Sequence, residues 1–297
     1  MKKVLYIMVA SASLALAACS SSGKLPQKDL GLQLYSIRQL IGDANKFAAN
    51  HDSILGMMAQ QGYTFVETAN YRDGKIYGME PADFKAAVEK AGLKSLSTHT
   101  MRGLSKEELA AGAPSEATMQ WWDECIAAHK AAGMEYIVCP WMDCDTLDEL
   151  KFWCEYFNAV GKKVADAGMK FGYHNHAHEM REIEGKVMIE YMLENTDPAL
   201  VFYQIDVYWA AYGHYSPADL FNKYPGRFAL LHIKDKKEIG QSGMVGFDAV
   251  FGNAEVAGME TYVVEVEGCR NEAALEGIRV SADYLRKAPF VKASYGK

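Results

Sequence analysis

The sequence has no excess of positive charge, since its 297 residues include 31 lysines and arginines against 38 aspartates and glutamates, a net charge of −7. Proteins that bind nucleic acids usually carry a basic patch, so a nucleic-acid partner is not expected. The six cysteines form no CxxC pair, which argues against a zinc ribbon and against a dense disulfide framework. No P-loop motif is present, so the sequence predicts no phosphate-binding turn of that kind.

The apolar run at the N-terminus is too short for a comfortable membrane span. Lys2 and Lys3 precede a run from Val4 to Ala18 of about 15 residues, whereas a transmembrane helix needs about 20. A charged start followed by a short apolar run is typical of an export signal. The run ends in Leu16-Ala17-Ala18-Cys19, which resembles the cleavage box of bacterial lipoproteins. An ordinary secretory signal that happens to contain this cysteine is the alternative.

These features divide the chain into three parts. We expect a lipoprotein signal peptide over residues 1–18, a lipid attached to Cys19, a flexible tether over residues 19–29 and one folded domain over residues 30–297. The mature protein is therefore expected to be exported and anchored at the cell envelope, with membrane contact only through its lipid. The periplasm and the outer-membrane surface both remain open.

Short apolar runs alternate with helical patterns along the rest of the chain. Eight strand-like runs occupy residues 31–35, 64–69, 94–98, 135–140, 170–176, 200–206, 228–233 and 262–267. The helical patterns between them include residues 81–91, 115–132 and 147–167. A doubly wound open sheet is the competing arrangement, but no GxGxxG follows the first run. The pattern predicts an α/β fold, a single-domain (β/α)₈ TIM barrel.

Ionisable side chains stand at the predicted carboxyl ends of these strands, where the active site of a barrel lies. They are Glu67, His99, His174, His176, Asp206, His232, Lys234 and Glu265. Asp206, His232 and Glu265 end three successive strands and offer a mixed N/O ligand set suited to Mn²⁺, Zn²⁺, Co²⁺ or Mg²⁺. Taken singly, each has an ordinary explanation as a helix cap, a buried histidine or an ion-pair partner. Together they predict one divalent metal ion.

Five segments carry a resemblance to a known family. They are GLQLYSIR at residues 31–38, GYHNHAHE at 172–179, IDVYW at 205–209, HIKD at 232–235 and VEVE at 264–267. In this order they resemble the xylose-isomerase-like superfamily of TIM-barrel sugar phosphate isomerases and epimerases. The resemblance implies a divalent metal held by four side chains from strands five to eight, and a carbonyl sugar as substrate. Asp206, His232 and Glu265 match the last three ligand positions.

The fifth strand departs from the pattern of the epimerases in that superfamily. Where many of them place a metal-binding glutamate, this chain has His174-Asn175-His176. Glu179 is the nearest carboxylate, and we assign it as the fourth ligand. His174 and His176 point to the same face of the strand and would contact the substrate or serve as alternative ligands.

This departure bears on the predicted reaction. An epimerase needs a base on each face of its substrate, and only Glu265 fills such a position securely. An elimination, in which removal of a proton α to a ketone is followed by loss of a β-substituent, suits these residues at least as well as epimerisation does. Glu265 or His176 would take the proton, and a histidine or Lys234 would protonate the departing oxygen.

Localisation narrows the substrate. Sugar phosphates are mainly cytoplasmic, whereas this chain is expected to be exported, so an unphosphorylated keto-sugar or keto-glycoside fits better. Some relatives in the superfamily cleave 3-keto-glycosides by elimination, which makes a 3-keto-glycoside lyase the leading hypothesis and a sugar epimerase or isomerase the next. A surface sugar-binding lipoprotein without catalysis is the alternative of another class. An endonuclease would need a basic DNA groove, and the acidic charge balance disfavours it.

Further polar and aromatic residues near the strand ends are predicted to contact the sugar. The predicted substrate-binding set is Gln33, Tyr35, Glu67, His99, His174 and Trp209. For Trp209, packing against the core is an equally good explanation.

Overall fold

Eight parallel strands close into a barrel in the computed structural model, which describes residues 27–269 and 272–296. They are β1 (Gly31–Gln33), β2 (Phe65–Thr68), β3 (Lys94–His99), β4 (Tyr136–Cys139), β5 (Lys170–His174), β6 (Val201–Asp206), β7 (Leu230–Lys234) and β8 (Thr261–Glu265). Each strand pairs with its neighbours in sequence, and β1 closes the barrel against β8. The predicted TIM barrel is thus confirmed. The predicted signal peptide, Cys19 and most of the tether lie outside the described residues.

One main helix follows each strand. The main helices are α1 (Ala44–Gln60), α2 (Pro81–Lys90), α3 (Glu116–Ala131), α4 (Leu147–Asp166), α5 (Met188–Asn195), α6 (Pro217–Lys223), α7 (Phe247–Gly252) and α8 (Glu272–Lys287). Short helices lie at Arg38–Ile41, Lys106–Ala111, Val207–Tyr212 and Ala254–Ala257, and 3₁₀ turns lie at Leu34–Ile37 and His178–Met180. Two small hairpins, Tyr71–Arg72 with Lys75–Ile76 and Glu182–Ile183 with Lys186–Val187, stand in loops. Within the described ranges, no helix is long and apolar enough to cross a membrane.

The ends of the helices follow from local sequence chemistry. The hydroxyls of Ser115 and Thr146 accept hydrogen bonds from backbone amides in the first turns of α3 and α4, which fixes where these helices begin. Gly133 and Gly168 follow α3 and α4 with φ angles of 78° and 80°. Only glycine adopts this backbone conformation without strain, so these residues turn the chain into the next strand.

The barrel interior changes from apolar to polar along the strands. Its lower part is a small apolar cluster made of Phe65, Tyr136, Val138, Phe202, Ala229, Leu230 and Val263. These residues alternate along each strand with members of the larger cluster that packs under the helices, so they face inward. The same inward series continues towards the carboxyl ends with polar residues, for example Phe202, Gln204 and Asp206 on β6. The fold therefore gathers polar side chains at one end of a dry barrel.

Candidate active site

Four strands deliver a compact group of potential ligands to the carboxyl end of the barrel. His174 ends β5, Asp206 ends β6, His232 lies on β7 and Glu265 ends β8. One ligand atom from each of these residues lies within 4.8 Å of the others, and all four residues are buried. We call these residues the ligand group. The strand register explains their proximity, since Asp206 pairs with His232 and Glu265 pairs with Lys234 on adjacent strands.

Several polar atoms of the ligand group have no hydrogen-bond partner among the described residues. These buried atoms are Nδ1 of His174, Oδ2 of Asp206 and Nδ1 of His232. His232 Nδ1 lies 3.8 Å from the Asp206 oxygen and 3.4 Å from Glu265 Oε2. Burying such atoms without a partner is costly, and a shared cation between them would satisfy all of them at once. Imidazole nitrogens and carboxylate oxygens are ligands that suit a divalent transition metal, so the residues present fit one.

The other ring nitrogen of His232 is held from below by Glu67. His232 Nε2 lies 2.6 Å from Glu67 Oε1, and Glu67 also accepts hydrogen bonds from Gln33, Ser97 and Gln204. A carboxylate on the far side of a histidine fixes its ring orientation and tautomer, so that Nδ1 faces the ligand group. Burial alone would raise the pKa of Glu67, but His99 and His232 lower it to about 2.

The pKa values of the other ionisable groups in the site shift in directions set by burial and by neighbouring charges. Burial raises the pKa of Asp206, and burial together with the nearby imidazoles keeps the pKa of His174 well below its usual range. For Glu265, burial alone would raise the pKa, but Lys234 and His232 lower it. Opposed shifts in one buried cluster are characteristic of functional sites.

Lys234 bridges the ligand group to the rim. Its ammonium lies 3.2 Å from Glu265 Oε2 and 2.5 Å from Glu267 Oε2, and its side chain is buried. Burial alone would lower the pKa of Lys234, but Glu265, Asp206 and Glu267 raise it. The predicted catalytic residues Lys234 and Glu265 are therefore in direct contact.

Glu179, predicted as the fourth ligand, lies outside the ligand group. Its Oε1 accepts a hydrogen bond from the Tyr173 hydroxyl at 2.5 Å, and its Oε2 accepts one from the His176 backbone amide at 2.8 Å. The chain turns after β5 into the 3₁₀ turn His178–Met180, which points this carboxylate to the side of the barrel. His174, predicted as a substrate contact or an alternative ligand, occupies the β5 position in the group.

Two residues predicted to touch the substrate lie beneath the ligand group instead. Glu67 and Gln33 are fully buried, and their polar atoms are used in the network around Glu67. Glu67 and Gln33 support the site from the barrel interior, because their strands place them one layer below the rim. His99, also predicted as a contact, lies beside the ligand group, 2.6 Å from Gln204 and with its ring 4.7 Å from that of His174.

The remaining predicted contacts lie at the rim. His176 is part-buried between two tryptophans, with its ring 5.0 Å from His174 and 5.8 Å from Trp209. Burial lowers the pKa of His176 to about 4. Tyr35 is 42% exposed at the end of β1, where Arg38 lies over its ring. The structure thus brings His174, His176, Trp209, Lys234 and Glu265 together.

Sequence reasoning missed three polar residues of this site. Gln204 and Ser97 hold Glu67, and Asn175 Oδ1 accepts the backbone amide of Asp206. Gln204 lies two residues before Asp206 on one strand, so strict alternation placed it on the same inward face. That signal was present in the sequence. Asn175 follows the end of β5, and no periodic signal marks it.

Fold and site together define a class of protein: a (β/α)₈ barrel with buried imidazole and carboxylate side chains, which could hold a metal ion, at the carboxyl ends of its strands. Residues 56–288 match the family model described as the xylose isomerase-like TIM barrel, and the chain belongs to that family. This confirms the resemblance noted in the sequence.

Relatives of the chain include several kinds of enzyme. An inosose dehydratase of Geobacillus kaustophilus (strain HTA426) is 25% identical over 254 residues, which cover 78% of this chain and 77% of the relative. The solved structure of a sugar phosphate isomerase/epimerase from Parabacteroides distasonis ATCC 8503 is 34% identical, with a TM-score of 0.80, and covers 94% of this chain and 99% of that one. An L-ribulose 3-epimerase, at 12% identity and a TM-score of 0.64 over 87% of this chain and 93% of that one, shares the fold.

Proposed function

We propose that this protein is a divalent-metal-dependent enzyme that removes a proton α to the ketone of an unphosphorylated keto-sugar, and that it acts as a 3-keto-glycoside lyase. The observation that carries this proposal is the buried ligand group beside a buried lysine: one ligand atom from each of the four residues lies within 4.8 Å of the others, and atoms of three of these residues have no partner among the described residues. A protein that only binds sugars has no need of such a group.

His174, Asp206, His232 and Glu265 would hold the metal ion. Held by these residues, a divalent ion would supply Lewis-acid stabilisation of the negative charge that develops on a ketone oxygen, which typically contributes several kcal/mol. Glu67 keeps His232 in the orientation that this role requires. The support for this assignment is the fit of the four side chains to an N/O-coordinated cation.

The chain's own residues would move two protons. Glu265 or His176 accepts the proton from C2, next to the C3 ketone of the glycoside. The electron pair of the broken C–H bond forms a C1–C2 double bond as the bond from C1 to the aglycone oxygen breaks. Lys234 or His176 donates a proton to that oxygen, which leaves as an alcohol. A positioned general base or acid contributes about 10²–10⁴-fold in rate.

Elimination accounts for the residues better than epimerisation does. Reversible epimerisation calls for a base on each face of the substrate, yet the β5 position of the ligand group holds an imidazole, and Glu179 faces away. The inosose dehydratase relative removes water, as its name states. Loss of water or of an alcohol from the carbon β to a ketone begins with the same α-proton removal, which also favours a lyase.

Proton NMR in D₂O tests the proposal. The mature protein would be mixed with methyl 3-keto-β-D-glucoside, once with Mn²⁺ and once after chelation. We expect metal-dependent loss of the C2 proton signal together with release of methanol. Exchange or inversion at C2 without methanol would show an epimerase or isomerase, and an unchanged spectrum would reject catalysis on this substrate class.

We also propose that the mature chain is exported and anchored to the cell envelope through a lipid on Cys19. The support is the lipoprotein-like box before that residue. In cells fed labelled palmitate, the chain should become labelled and pellet with membranes. A Cys19→Ser variant should lose both properties, whereas the matched Cys269→Ser variant should retain them. Labelling that persists in Cys19→Ser would contradict the anchor.

A further inference from the structure

Exposed apolar side chains concentrate at the rim around the candidate site. The described residues include five large hydrophobic side chains that are exposed: Tyr35, Trp141, Tyr212, Met244 and Val256. The first four follow β1, β4, β6 and β7 at their carboxyl ends, and only Val256 lies elsewhere. These four residues lie on the same end of the barrel as the ligand group, and two of them, Trp141 and Tyr212, belong to one series of neighbouring rings.

Trp141 begins a continuous row of rings that leads into the site. Its ring lies 5.1 Å from that of His176, the His176 ring lies 5.8 Å from that of Trp209, and the Trp209 ring lies 5.7 Å from that of Tyr212. His176 also lies 5.0 Å from His174 of the ligand group. His176 therefore stands at the boundary between the ligand group and this row, which we call the aromatic row.

The backbone that carries Trp141 is held in place although the residue is 45% exposed. Its own carbonyl accepts a hydrogen bond from the Cys139 thiol. The Met142 carbonyl lies 2.9 Å from His178 Nε2, and the Asp143 carbonyl accepts from the Trp153 indole at 3.2 Å. Arg181 further pairs with the Asp143 carboxylate at 2.9 Å. A ring presented to solvent on an anchored backbone is preorganised for stacking.

Two buried polar atoms along the aromatic row have no partner among the described residues. They are Nδ1 of His176 and Nε1 of Trp209. A ligand lying along the row would offer oxygens to these atoms, which removes the cost of leaving them unpaired. The row thus combines flat apolar faces with unpaired polar groups, as sites for carbohydrates and small aromatic compounds do.

We propose that the aromatic row is the subsite for the leaving group, and that it takes an aglycone with a flat apolar face, with Trp141 as its principal platform. This rests on the proposed function, because the ligand group would hold the keto-sugar ring and His176 would then lie beside the glycosidic oxygen. The shared chemistry is a flat face of C–H or aromatic carbon, which an aryl group and a second sugar ring both present. A methyl aglycone has no flat face and therefore cannot stack on Trp141.

The test compares three 3-keto-β-D-glucosides that carry methyl, phenyl or glucosyl aglycones. Full-length wild-type protein, Trp141→Ala and Trp141→Phe would each be assayed for kcat/KM. Stacking on one ring is expected to favour the phenyl or glucosyl compound about 3- to 10-fold over the methyl compound in the wild type. Trp141→Ala should remove this preference through KM, so that the three compounds become equivalent, and Trp141→Phe should keep most of it.

The outcomes separate the two proposals. If no compound is cleaved, the proposed function fails, and the compounds are then stable ligands whose dissociation constants give the same ratio by NMR titration. A ratio near one in the wild type, or a ratio that Trp141→Ala leaves unchanged, overturns the aglycone subsite whether or not cleavage occurs. Val256→Ala, an exposed apolar residue away from the rim, is the matched control and should change nothing. A preference shown only by the phenyl or only by the glucosyl compound identifies which aglycone the row accepts.

Discussion

The two ends of the barrel differ in whether their charged and polar side chains have hydrogen-bond or ion-pair partners. At the amino end, Lys170 Nζ lies 2.5 Å from both carboxylate oxygens of Glu260, and the Tyr136 hydroxyl donates to the same carboxylate at 2.5 Å. Each of these charged groups has a partner, although the hydroxyls of Ser95 and Tyr262, near the amino ends of β3 and β8, have none among the described residues. At the carboxyl end, atoms of His174, His176, Asp206, Trp209 and His232 lie buried with no partner among the described residues.

This difference indicates what each end does. A polar network whose members satisfy each other holds the fold in one arrangement and needs nothing from outside. Unpaired buried atoms reduce stability and persist where a ligand pairs with them. Substitutions of groups that have partners should therefore change the free energy of unfolding, whereas substitutions in the ligand group and directly behind it should change metal binding and catalysis.

The largest effect is expected for Glu265→Gln. It removes a proposed charged ligand and a candidate base, so both bound metal and activity should fall, the latter by about 10²–10⁴-fold. The metal content of the purified protein measures the loss of bound metal, and the rate of aglycone release from a 3-keto-glycoside measures the loss of activity. Glu267→Gln is the matched control, because Glu267 also contacts Lys234 but lies outside the ligand group. Equal losses of metal and activity in both variants would contradict a role for Glu265 in metal binding and catalysis that Glu267 does not share.

A second, smaller effect is expected for Glu67→Gln. It weakens the bond that orients His232, and substitutions behind a ligating histidine typically cost about 10–100-fold in metal affinity. Competition with a chelator of known affinity measures this change. Gln keeps the size of the side chain, so the barrel should still fold, which circular dichroism would verify. Metal affinity that stays at the wild-type value would show that Glu67 serves the fold alone.

Much of the fold was predictable from sequence because its signals are local. Apolar runs marked all eight strands, and the helical patterns over residues 115–132 and 147–167 agree with α3 and α4 to within a residue at each end. The strand ends were less certain. The run at residues 170–176 was predicted as one strand, yet β5 stops at His174, because the chain then turns to bury Glu179 against Tyr173.

The site was predictable only where strand position determined it. Asp206, His232 and Glu265 end neighbouring strands, and parallel strands of a barrel bring such ends together. The choice between His174 and Glu179 depended on the path of a loop, which no periodicity encodes. The depth of Glu67 depended on which interior layer its strand reaches, and that is set by the stagger of strands around the barrel.

The third prediction concerns Glu108, a residue at the carboxyl end whose carboxylate has hydrogen-bond partners. Glu108 lies in the short helix Lys106–Ala111 that follows β3, at the carboxyl end, yet its carboxylate accepts hydrogen bonds from the Ser105 and Ser115 amides, both at 2.7 Å. Burial alone would raise the pKa of Glu108, but these bonds lower it to about 2. Glu108→Gln should therefore cost on the order of 1 kcal/mol in the free energy of unfolding at neutral pH, as the loss of a cap does, and leave activity unchanged.

The pH dependence of that cost follows from the sign of the shift. Because the pKa of Glu108 is lower in the folded state, its stabilisation is fully present above the unfolded value near 4.3 and is lost as pH falls through about 2. Urea unfolding of both proteins between pH 7 and pH 2 measures it. We expect the two curves to converge in acid, and a gap that stays constant would show that the carboxylate charge is not the cause.

The smallest effect is expected for Glu260→Gln, which tests the satisfied end of the comparison directly. The side chains of Lys170 and Glu260 are 52% and 36% exposed, so water screens their attraction, and pairs of this kind contribute about 0–1 kcal/mol. Urea unfolding should show a loss within that range, diminished further at high salt. Metal affinity and kcat/KM should equal those of the wild type, because the apolar layer of Phe65, Phe202 and Leu230 separates this end from the ligand group. A change in metal affinity would mean that the two ends are coupled through the barrel, and the division between a structural and a functional end would then fail.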